Sequence, residues 1–584
     1  MSRLHQTNED LRTELERGLE GLRPALTPLA RVLHPRDAAR AQAVVEGMHR
    51  LAATFRDRLP ETRRPVVDEA TAYLICYGDS ICRDGQPPLA TLAQELRTHV
   101  GDAVTDVHLL PIFPWTSDDG FAVVDYREVD PELGQWHDVA EIGRDYQLML
   151  DFVANHTSAS SPWFTGWLAG DERYRDYYLA PGPEIDTSKV VRPRTTPLLH
   201  PFERPDGHQV AAWTTFGPDQ VDLNVANPAT LLELTEILLE YIVAGATTVR
   251  LDAIGYLWKE SGTGCIHLPA THAVIKMWRV VVDAVAPGVR LLTETNVPHA
   301  ENITYLGDGS DEAHMVYQFA LPPLVLHSFV SGSSRRLTDW AASLEDLGDD
   351  ATWFNFLASH DGIGMRPAQG ILSPHEQEAL ARRALAHGGR ASYATGPGPE
   401  RSIYELNVSY LDALVDPSER ADVEHVIRRV LAAHAILLGL AGVPAIYYHS
   451  IFGSTSDLDG LADSGINRRI NRERLDADTL ADELRHDPRR RGILNGLKRL
   501  LTIRAGQPAF SPFAQQRILD LDERVFAVER RCDRQIIRAV VNVSSEPVDV
   551  PGISGWDLLT ESRVDGRLGP DDVVWVAETL TAAH

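Results

Sequence analysis

Eight short apolar segments recur between about residue 70 and residue 450, and stretches of helical character separate them. Strands that alternate with helices are typical of a parallel sheet, because each crossover between parallel strands needs a helix-sized connection. Eight such units over about 380 residues predict an α/β fold with a closed (β/α)₈ TIM barrel. The segments read ATAYLICYG, VTDVHLLPIFP, YQLMLDFVANHT, ATTVRLDAIGYL, VRLLTETNV, EAHMVYQFAL, TWFNFLASHDG and GVPAIYYHSIFG.

A helical extension is predicted over residues 1–68, before the barrel. Apolar residues recur there at helical spacing and form a one-sided stripe, and DAARAQAVVEGMHRLAATFRDRL predicts a second helix. Such a stripe is typical of a helix pair that packs on the main body. The stripe consists of Leu11, Leu15, Leu19 and Leu22.

The rest of the chain divides into a catalytic barrel and a C-terminal domain. The barrel is predicted over 69–505, interrupted by a small inserted subdomain at about 157–220 and by a long loop at about 362–440. Short alternating strands, such as RVFAVERRC and QIIRAVVNVSS, predict a β-sandwich over 506–584.

The composition argues against some classes of function. The chain has 584 residues, and 56 Lys and Arg against 83 Asp and Glu give a formal net charge of −27. Nonspecific nucleic-acid binding needs a basic surface that displaces counterions, so no nucleic-acid partner is expected. The four cysteines are scattered and lack the spacing of a zinc site.

The chain carries no signal for export or membrane insertion. Its first residues, MSRLHQTNEDLRTELERG, lack the apolar core of a signal peptide, and no run of about 18 apolar residues predicts a membrane span. We therefore expect a cytoplasmic protein with no membrane partner. The sequence carries no indication of the oligomeric state.

Two charged residues, Arg250 and Asp252, interrupt the apolar segment ATTVRLDAIGYL. Residues two apart in a strand point to the same face, so the two side chains are expected to meet at the barrel mouth. The arginine is expected to keep the carboxyl group ionised, which would make Asp252 a candidate nucleophile. The alternative is a buried ion pair with no chemical role.

Carboxyl groups also end two further segments. Glu294 ends VRLLTETN, and Asp361 follows His360 at the end of the seventh segment. Barrel active sites lie at the carboxyl ends of the strands, so these groups and Asp252 are predicted to ring one mouth. Retaining glycosidases use two carboxyl groups about 5–5.5 Å apart, one as nucleophile and one as acid/base. The set therefore predicts glycoside chemistry.

Several stretches resemble known families. DFVANHTS, VRLDAIGYLWKE, LLTETNV and FLASHDGIG resemble the four signature regions of the α-amylase superfamily, glycoside hydrolase family 13. Within it, VHLLPIFPWTSDDGFAVVDYREVDPELGQWHDV, WTTFGPDQVDLNVANP and INRRINRER resemble the sucrose phosphorylase branch. The helical extension, the YELN stretch and INRRINRE resemble the glucosylglycerate phosphorylases of that branch.

The resemblance implies a role for each matching residue. Asp252 would be the nucleophile, Glu294 the general acid/base and Asp361 the stabiliser of the transition state, with Arg250 supporting Asp252. His360 and Asp361 are adjacent and a regular strand would point them apart, but the family's strand ends there. The other matches would bind the glucosyl group, with Phe121 as a stacking platform and Arg472 paired with Asp118; they are Asp118, Phe121, His156, His360 and Arg472.

Two loops are implied to recognise phosphate and the acceptor. Arg194, in RPRTTP, matches a loop arginine of the sucrose phosphorylases, and its alternative is a solvated surface charge. Tyr404, in IYELN, matches a tyrosine of the opposite loop. Sucrose phosphorylases usually carry Gln after that tyrosine where this chain has Glu405, which would orient an arginine if it does not face the pocket.

The implied reaction is reversible phosphorolysis of 2-O-α-glucosylglycerate to α-glucose 1-phosphate and glycerate. It would proceed by double displacement with retention, on a small-molecule glucoside and inorganic phosphate as co-substrate. The resemblance implies no metal and no organic cofactor. The open alternatives are a sucrose, sucrose 6′-phosphate or glucosylglycerol phosphorylase, an α-glucoside hydrolase and a noncatalytic sugar-binding protein.

Overall fold

All eight predicted segments form strands of one closed barrel. The computed structural model describes residues 8–59, 67–193, 196–395 and 401–580. The strands are parallel and follow one another round the barrel in chain order, which confirms the predicted (β/α)₈ fold. They are β1 (Tyr73–Cys76), β2 (Asp106–Leu109), β3 (Gln147–Phe152), β4 (Ala246–Leu251), β5 (Arg290–Thr293), β6 (Met315–Tyr317), β7 (Thr352–Phe356) and β8 (Val443–Tyr447).

Helices connect the barrel strands. Several begin with proline at the first helical turn, where its missing N–H has no intrahelical partner to lose. The connecting and closing helices are Pro88–Glu95, Trp136–Ile142, Pro228–Val243, Pro269–Val285, His299–Asn302, Leu321–Ser331, Arg335–Ala342, Val423–Gly439 and Pro488–Ala505. Shorter helices after β8 are Tyr448–Ile451, Leu458–Ser464 and Ala477–His486.

Two helices, α1 (Asn8–Leu33) and α2 (Ala38–Arg56), precede the barrel, as the leucine stripe predicts. Gly18 of α1 lies so close to Ala284 of helix Pro269–Val285 that a Cβ atom would stand 2.8 Å from the Ala284 carbonyl oxygen. α2 packs against helix Pro228–Val243, with Gly47 against the Leu232 side chain. Small residues thus let both helices approach the connecting helices closely.

The inserted segment at 157–220 contains short strands and a helix. Its flanks pair as two short antiparallel strands, His156–Ser158 and Gln220–Asp222. Between them lie helix Pro162–Ala169 and a hairpin of Leu199–Glu203 and Gln209–Trp213.

The prediction of a long loop over 362–440 is wrong for most of that range. The segment contains helix Pro374–Ala386, with a capping box of Ser373 and Glu376, and the helices Tyr410–Leu414 and Val423–Gly439. A three-stranded antiparallel sheet also lies in this segment, in the order Ile363–Gly364, Arg401–Asn407, Arg390–Thr395.

Two packed sheets form the C-terminal region, as predicted for a β-sandwich. A six-stranded sheet has the order Gln515–Ile518, Val525–Cys532, Gln535–Asn542, Val573–Thr579, Gly555–Asp557, Ser562–Val564. Val548–Asp549 pairs with Arg567–Leu568 in a second, small sheet. Apolar side chains of both sheets share one core, in which Val548 and Leu568 meet Val540 and Val576.

The chain divides into two compact units, which are described separately below. One comprises the N-terminal helices, Leu109–Thr295 and Ile303–Val316; the other comprises Val67–His108, Asn296–Asn302 and the chain from Tyr317 onwards. A further two-stranded pairing, Ile81–Cys82 with Leu475–Asp476, lies in the second unit. Within the described ranges, every helix is too short or too polar to cross a bilayer.

Candidate active site

The ends of β4 and β5 set the positions of the Asp252 and Glu294 carboxyl groups. The register pairs Thr293 with Leu251, and the Glu294 backbone N–H donates to the Leu251 carbonyl oxygen at 3.1 Å. Glu294 therefore continues the register one step and stands level with Asp252. Neighbouring strands lie about 4.8 Å apart, which suits the spacing of about 5–5.5 Å that retaining glycosidases require.

Arg250 lies between two carboxyl groups. Its Nη1 donates to Asp252 Oδ1 at 2.8 Å, so the predicted contact between these neighbours on one strand face is present. The same Nη1 also bonds Asp151 Oδ1 on β3, whose register pairs Asp151 with Arg250. All three side chains are buried. Asp151 was missed in the sequence, although it is a lone charge in the apolar segment YQLMLDFV.

The burial of Asp252 corrects the expectation that Arg250 keeps this carboxyl group readily ionised. Burial raises the pKa of Asp252 well above its ordinary value, and the nearby Glu294 and Asp151 carboxyl groups act in the same direction. Arg250 lowers the pKa of Asp252 but does not outweigh burial, which is the largest effect, and Asp151 also binds the Arg250 guanidinium group. Asp252 is thus a buried acid whose proton is lost less readily than that of a surface aspartate.

The residue after Asp252 links the two carboxyl groups. The backbone N–H of Ala253 donates to Glu294 Oε2 at 3.1 Å. Ala253 has a φ of 49°, in the left-handed region that L-residues other than Asn and Asp seldom occupy. The chain thus turns sharply after β4, directly beyond the backbone N–H that contacts Glu294.

A second group of predicted residues lies in the same unit. The loop after β2 carries Asp118 and Phe121, and Phe121 presents its ring to the Arg250 guanidinium, 5.6 Å from the ring centroid. His156 Nε2 lies 2.9 Å from the Phe121 carbonyl oxygen. The Gln220 amide donates to Asp118 Oδ2 at 3.3 Å and lies 3.2 Å from His156 Nε2. The structure therefore brings Asp118, Phe121 and His156 together, with Gln220, which the sequence analysis missed, between them.

Burial favours the neutral form of His156. It lowers the pKa of His156, and the Phe121 carbonyl and the Asp222 carboxylate only partly offset this. Asn155 Nδ2 bonds Asp222 Oδ2 at 3.0 Å, and the buried Lys259 ammonium lies 2.7 Å from the same oxygen. This polar network fixes the strand end that carries His156.

The second unit holds His360, Asp361 and Arg472. β7 ends at Phe356, so His360 and Asp361 lie in irregular chain and both side chains converge, with His360 Nε2 3.5 Å from Asp361 Oδ1. Arg472 Nε donates to the His360 carbonyl oxygen at 2.9 Å, and its Nη2 lies 3.7 Å from Asp361 Oδ1. The nearest cation to Asp361 among the ion pairs of this group is Arg468, with Nη1 at 2.6 Å. The predicted pairing of Arg472 with Asp118 stays a prediction.

Tyr404 and Glu405 lie on strand Arg401–Asn407, in the same unit. Tyr404 is half-buried, and its carbonyl oxygen accepts a bond from the Met365 N–H at 2.9 Å. Glu405 is buried and faces Arg468. Arg194 lies outside the described residues. Within the described ranges, no group of three or more His, Cys, Asp or Glu side chains could hold a metal ion.

The chain is similar to known proteins of one family. Residues 100–363 match the model of the alpha-amylase catalytic domain. A glucosylglycerate phosphorylase of Allomeiothermus silvanus is 47% identical over 543 residues, which cover 92% of this chain and 96% of that protein. A sucrose phosphorylase of Agrobacterium vitis is 32% identical over 75% of this chain and 88% of that protein.

The fold is similar to that of a solved phosphorylase structure. The crystal structure of a sucrose 6F-phosphate phosphorylase from Thermoanaerobacter thermosaccharolyticum superposes with a TM-score of 0.71 at 23% identity, over 85% of this chain and 98% of that chain. Identity of 47% along nearly the whole of a relative is far beyond what a shared barrel alone requires. The chain belongs to the α-amylase superfamily, glycoside hydrolase family 13, in the branch of the glucosylglycerate and sucrose phosphorylases.

Proposed function

We propose that the chain is a retaining glucosylglycerate phosphorylase, which converts 2-O-α-glucosylglycerate and phosphate into α-glucose 1-phosphate and glycerate. The observation that carries the chemistry is the pair Asp252 and Glu294, level with each other on neighbouring strands. The substrate assignment is supported by 47% identity to a glucosylglycerate phosphorylase over 96% of its length, against 32% to a sucrose phosphorylase.

In the first step Asp252 attacks the anomeric carbon of the glucosyl group. A bond forms between an Asp252 carboxylate oxygen and this carbon as the bond to the glycerate oxygen breaks. Glu294 gives its proton to that oxygen, so glycerate leaves as an alcohol. The product is a β-glucosyl-enzyme.

The second step reverses the roles. A phosphate oxygen attacks the anomeric carbon, the bond to Asp252 breaks, and Glu294 takes up the proton of the attacking group when it carries one. Two inversions leave the α configuration in glucose 1-phosphate. Asp361, with Arg468 and Arg472 beside it, would bind the sugar hydroxyl groups of the transition state, and the group of Asp118, Phe121 and His156 would hold the glucosyl ring.

Water competes with phosphate for the glucosyl-enzyme at a far higher concentration. A phosphorylase therefore needs cationic donors for phosphate, and arginine suits this because its planar fork binds two phosphate oxygens at once. We assign this role to Arg194, with Tyr404 on the acceptor side, by their match to the sucrose phosphorylase branch. No metal or organic cofactor enters this scheme.

A substrate panel tests the proposal. The purified protein is incubated with phosphate and, in turn, 2-O-α-glucosylglycerate, sucrose, sucrose 6′-phosphate and glucosylglycerol, and glucose 1-phosphate is measured. We expect the highest kcat/KM with glucosylglycerate. A preference for another glucoside would overturn the substrate assignment, and free glucose as the main product in excess phosphate would identify a hydrolase.

A further inference from the structure

Glu405 connects the strand that carries Tyr404 to the loop that carries Asp361. Its Oε1 accepts a hydrogen bond from the Gly362 backbone N–H at 2.8 Å. The same carboxylate binds Arg468, with 3.2 Å from Oε1 to Nη2 and 3.4 Å from Oε2 to Nε. Arg468 in turn lies 2.6 Å from Asp361 through Nη1. One buried carboxylate therefore reaches the Asp361 loop twice, directly and through an arginine.

The two carboxylates occupy different edges of one guanidinium group. Asp361 binds Nη1 of Arg468, and Glu405 binds Nη2 and Nε. Both Glu405 oxygens are thus engaged inside the protein, and the residue is only 4% exposed. Such a carboxylate has no free face for an acceptor or a phosphate, but its charge balances one arginine, and its geometry fixes where that arginine stands.

The loop around Asp361 needs such support because packing does not fix it from all sides. Asp361, with Leu357–Ser359 before it and Gly362–Gly364 after it, lines a cavity of about 610 Å³ of unfilled space, part of it open to solvent, together with Tyr447 and His449. The loop has no regular secondary structure between Phe356 and Ile363. Its position depends on hydrogen bonds and ion pairs more than on contacts with a filled core.

The backbone contact between the two segments is also very close. A Cβ atom at Gly362 would stand 2.5 Å from the Leu406 carbonyl oxygen and 2.6 Å from Glu405 Cγ. Beyond Gly362 the two chains pair directly, Ile363 with Leu406 and Gly364 with Glu405. Any side chain at position 362 would push the Asp361 loop away from the strand, so glycine is required there.

We propose that Glu405 is a positioning residue, which holds Arg468 and the Gly362 backbone so that Asp361 keeps the orientation needed to stabilise glucosyl transfer. The inference rests on the proposed function in that Asp361 is taken to bind the glucosyl group. Glu405 then acts on every glucosyl transfer whatever the acceptor, and it does not select glycerate. A shift of about 1 Å in such a group lowers the rate by about 100-fold.

The test uses a donor that needs neither glycerate nor an acid catalyst. α-Glucosyl fluoride releases fluoride when Asp252 is glucosylated, and phosphate is supplied to regenerate the enzyme. Glu405→Ala removes both links to the loop, whereas Glu405→Gln keeps an oxygen for the Gly362 N–H and loses the charge opposite Arg468. Glu424→Gln is the matched control, because Glu424 is exposed on helix Val423–Gly439.

We expect kcat for fluoride release to fall by about 100-fold in Glu405→Ala and by less in Glu405→Gln, with a similar loss on glucosylglycerate and no change in Glu424→Gln. Arg468→Met should lower kcat too, and the double variant Glu405→Ala/Arg468→Met should lose little more than the worse single variant, since both act through Asp361. Circular dichroism and thermal unfolding show whether each variant is folded. If Glu405→Ala does not fold, Glu405→Gln alone tests the inference.

Two results would overturn the inference while the proposed function stands. One is a Glu405→Gln variant with parental kcat on the fluoride and a changed KM for phosphate or glycerate only, because this would make Glu405 an acceptor-contacting residue. The other is a double variant whose loss is the product of the two single losses. A parent protein that releases no fluoride would instead overturn the proposed function, and the inference with it.

Discussion

The backbone N–H of Ala253 donates a hydrogen bond to the carboxyl group of Glu294, 3.1 Å away. This bond joins the turn that follows the proposed nucleophile to the proposed acid/base on the next strand. Ala253 itself has a φ of 49°, so the chain turns sharply directly after this N–H. The backbone directly after Asp252 therefore helps to orient Glu294.

Substitutions at Ala253 test this link. Glycine adopts positive φ without strain, so Ala253→Gly should keep activity within a few-fold of the parent. Valine resists this conformation at a cost of about 1–3 kcal/mol, so Ala253→Val should relax the turn and lower kcat by about 10- to 100-fold. The measurement is kcat for phosphorolysis with thermal unfolding beside it. A valine variant with parental kcat would show that the turn does not orient Glu294.

The raised pKa of Asp252 predicts how stability depends on pH. Burial places the pKa of Asp252 above its unfolded value of 3.8, so the native state binds the proton more tightly. The stability from this group is present below pH 3.8 and is lost as pH rises through the native pKa. Asparagine has no proton to lose, so Asp252→Asn should keep this stability at every pH. The variant should therefore unfold at a higher temperature than the parent at pH 7, although it loses turnover.

The increase in unfolding temperature caused by Asp252→Asn should become smaller as the pH is lowered toward 3.8, because Asp252 of the parent then keeps its proton. Asp349→Asn is the control, since Asp349 is exposed and its substitution should leave the unfolding temperature unchanged at both pH values. Thermal unfolding by calorimetry measures each difference. An Asp252→Asn variant less stable than the parent at pH 7 would contradict the account of the buried charge.

Asp151 should control the pH at which the enzyme loses activity. It shares the Arg250 guanidinium with Asp252, and its charge raises the pKa of Asp252. Asp151→Asn leaves the arginine charge to Asp252 alone, so the acidic limb of the profile of kcat/KM against pH should move to lower pH. Because Asp252 and Glu294 interact, the apparent pKa of the acidic limb describes the two carboxyl groups together. A limb that stays in place or moves to higher pH would contradict the shared-arginine account.

The sequence predicts the barrel well because its signal is repeated. Each of the eight strands buries a short apolar segment between helices, and every predicted segment contains a barrel strand. The prediction of a long loop over 362–440 is wrong because most of that range carries helix and strand signals of its own. Helix Pro374–Ala386 carries its own signal, Ser373-Pro374 followed by Glu376, which is a capping box with proline at the first helical position.

Within the site, the contact between Arg250 and Asp252 was predictable from strand geometry, whereas the ion pairs that Asp151 and Glu405 make were not. Arg250 and Asp252 meet because strand residues two apart share a face. Asp151 is 99 positions from Arg250, and Glu405 is 63 positions from Arg468, so only the fold brings these charges together. The direction of the pKa shift of Asp252 could not be predicted, because it depends first on how deeply the fold buries the carboxyl group and then on Asp151 and Glu294 beside it.

Trapping the glucosyl-enzyme tests the central claim most directly. In Glu294→Gln the second step lacks its base, while α-glucosyl fluoride needs no acid to leave, so the intermediate should accumulate when phosphate is absent. Mass spectrometry of the intact protein should then show the gain of one glucosyl group, and peptide mapping should place it on Asp252. A label on another residue, or turnover of the fluoride to a β-configured product without any label, would contradict double displacement through Asp252.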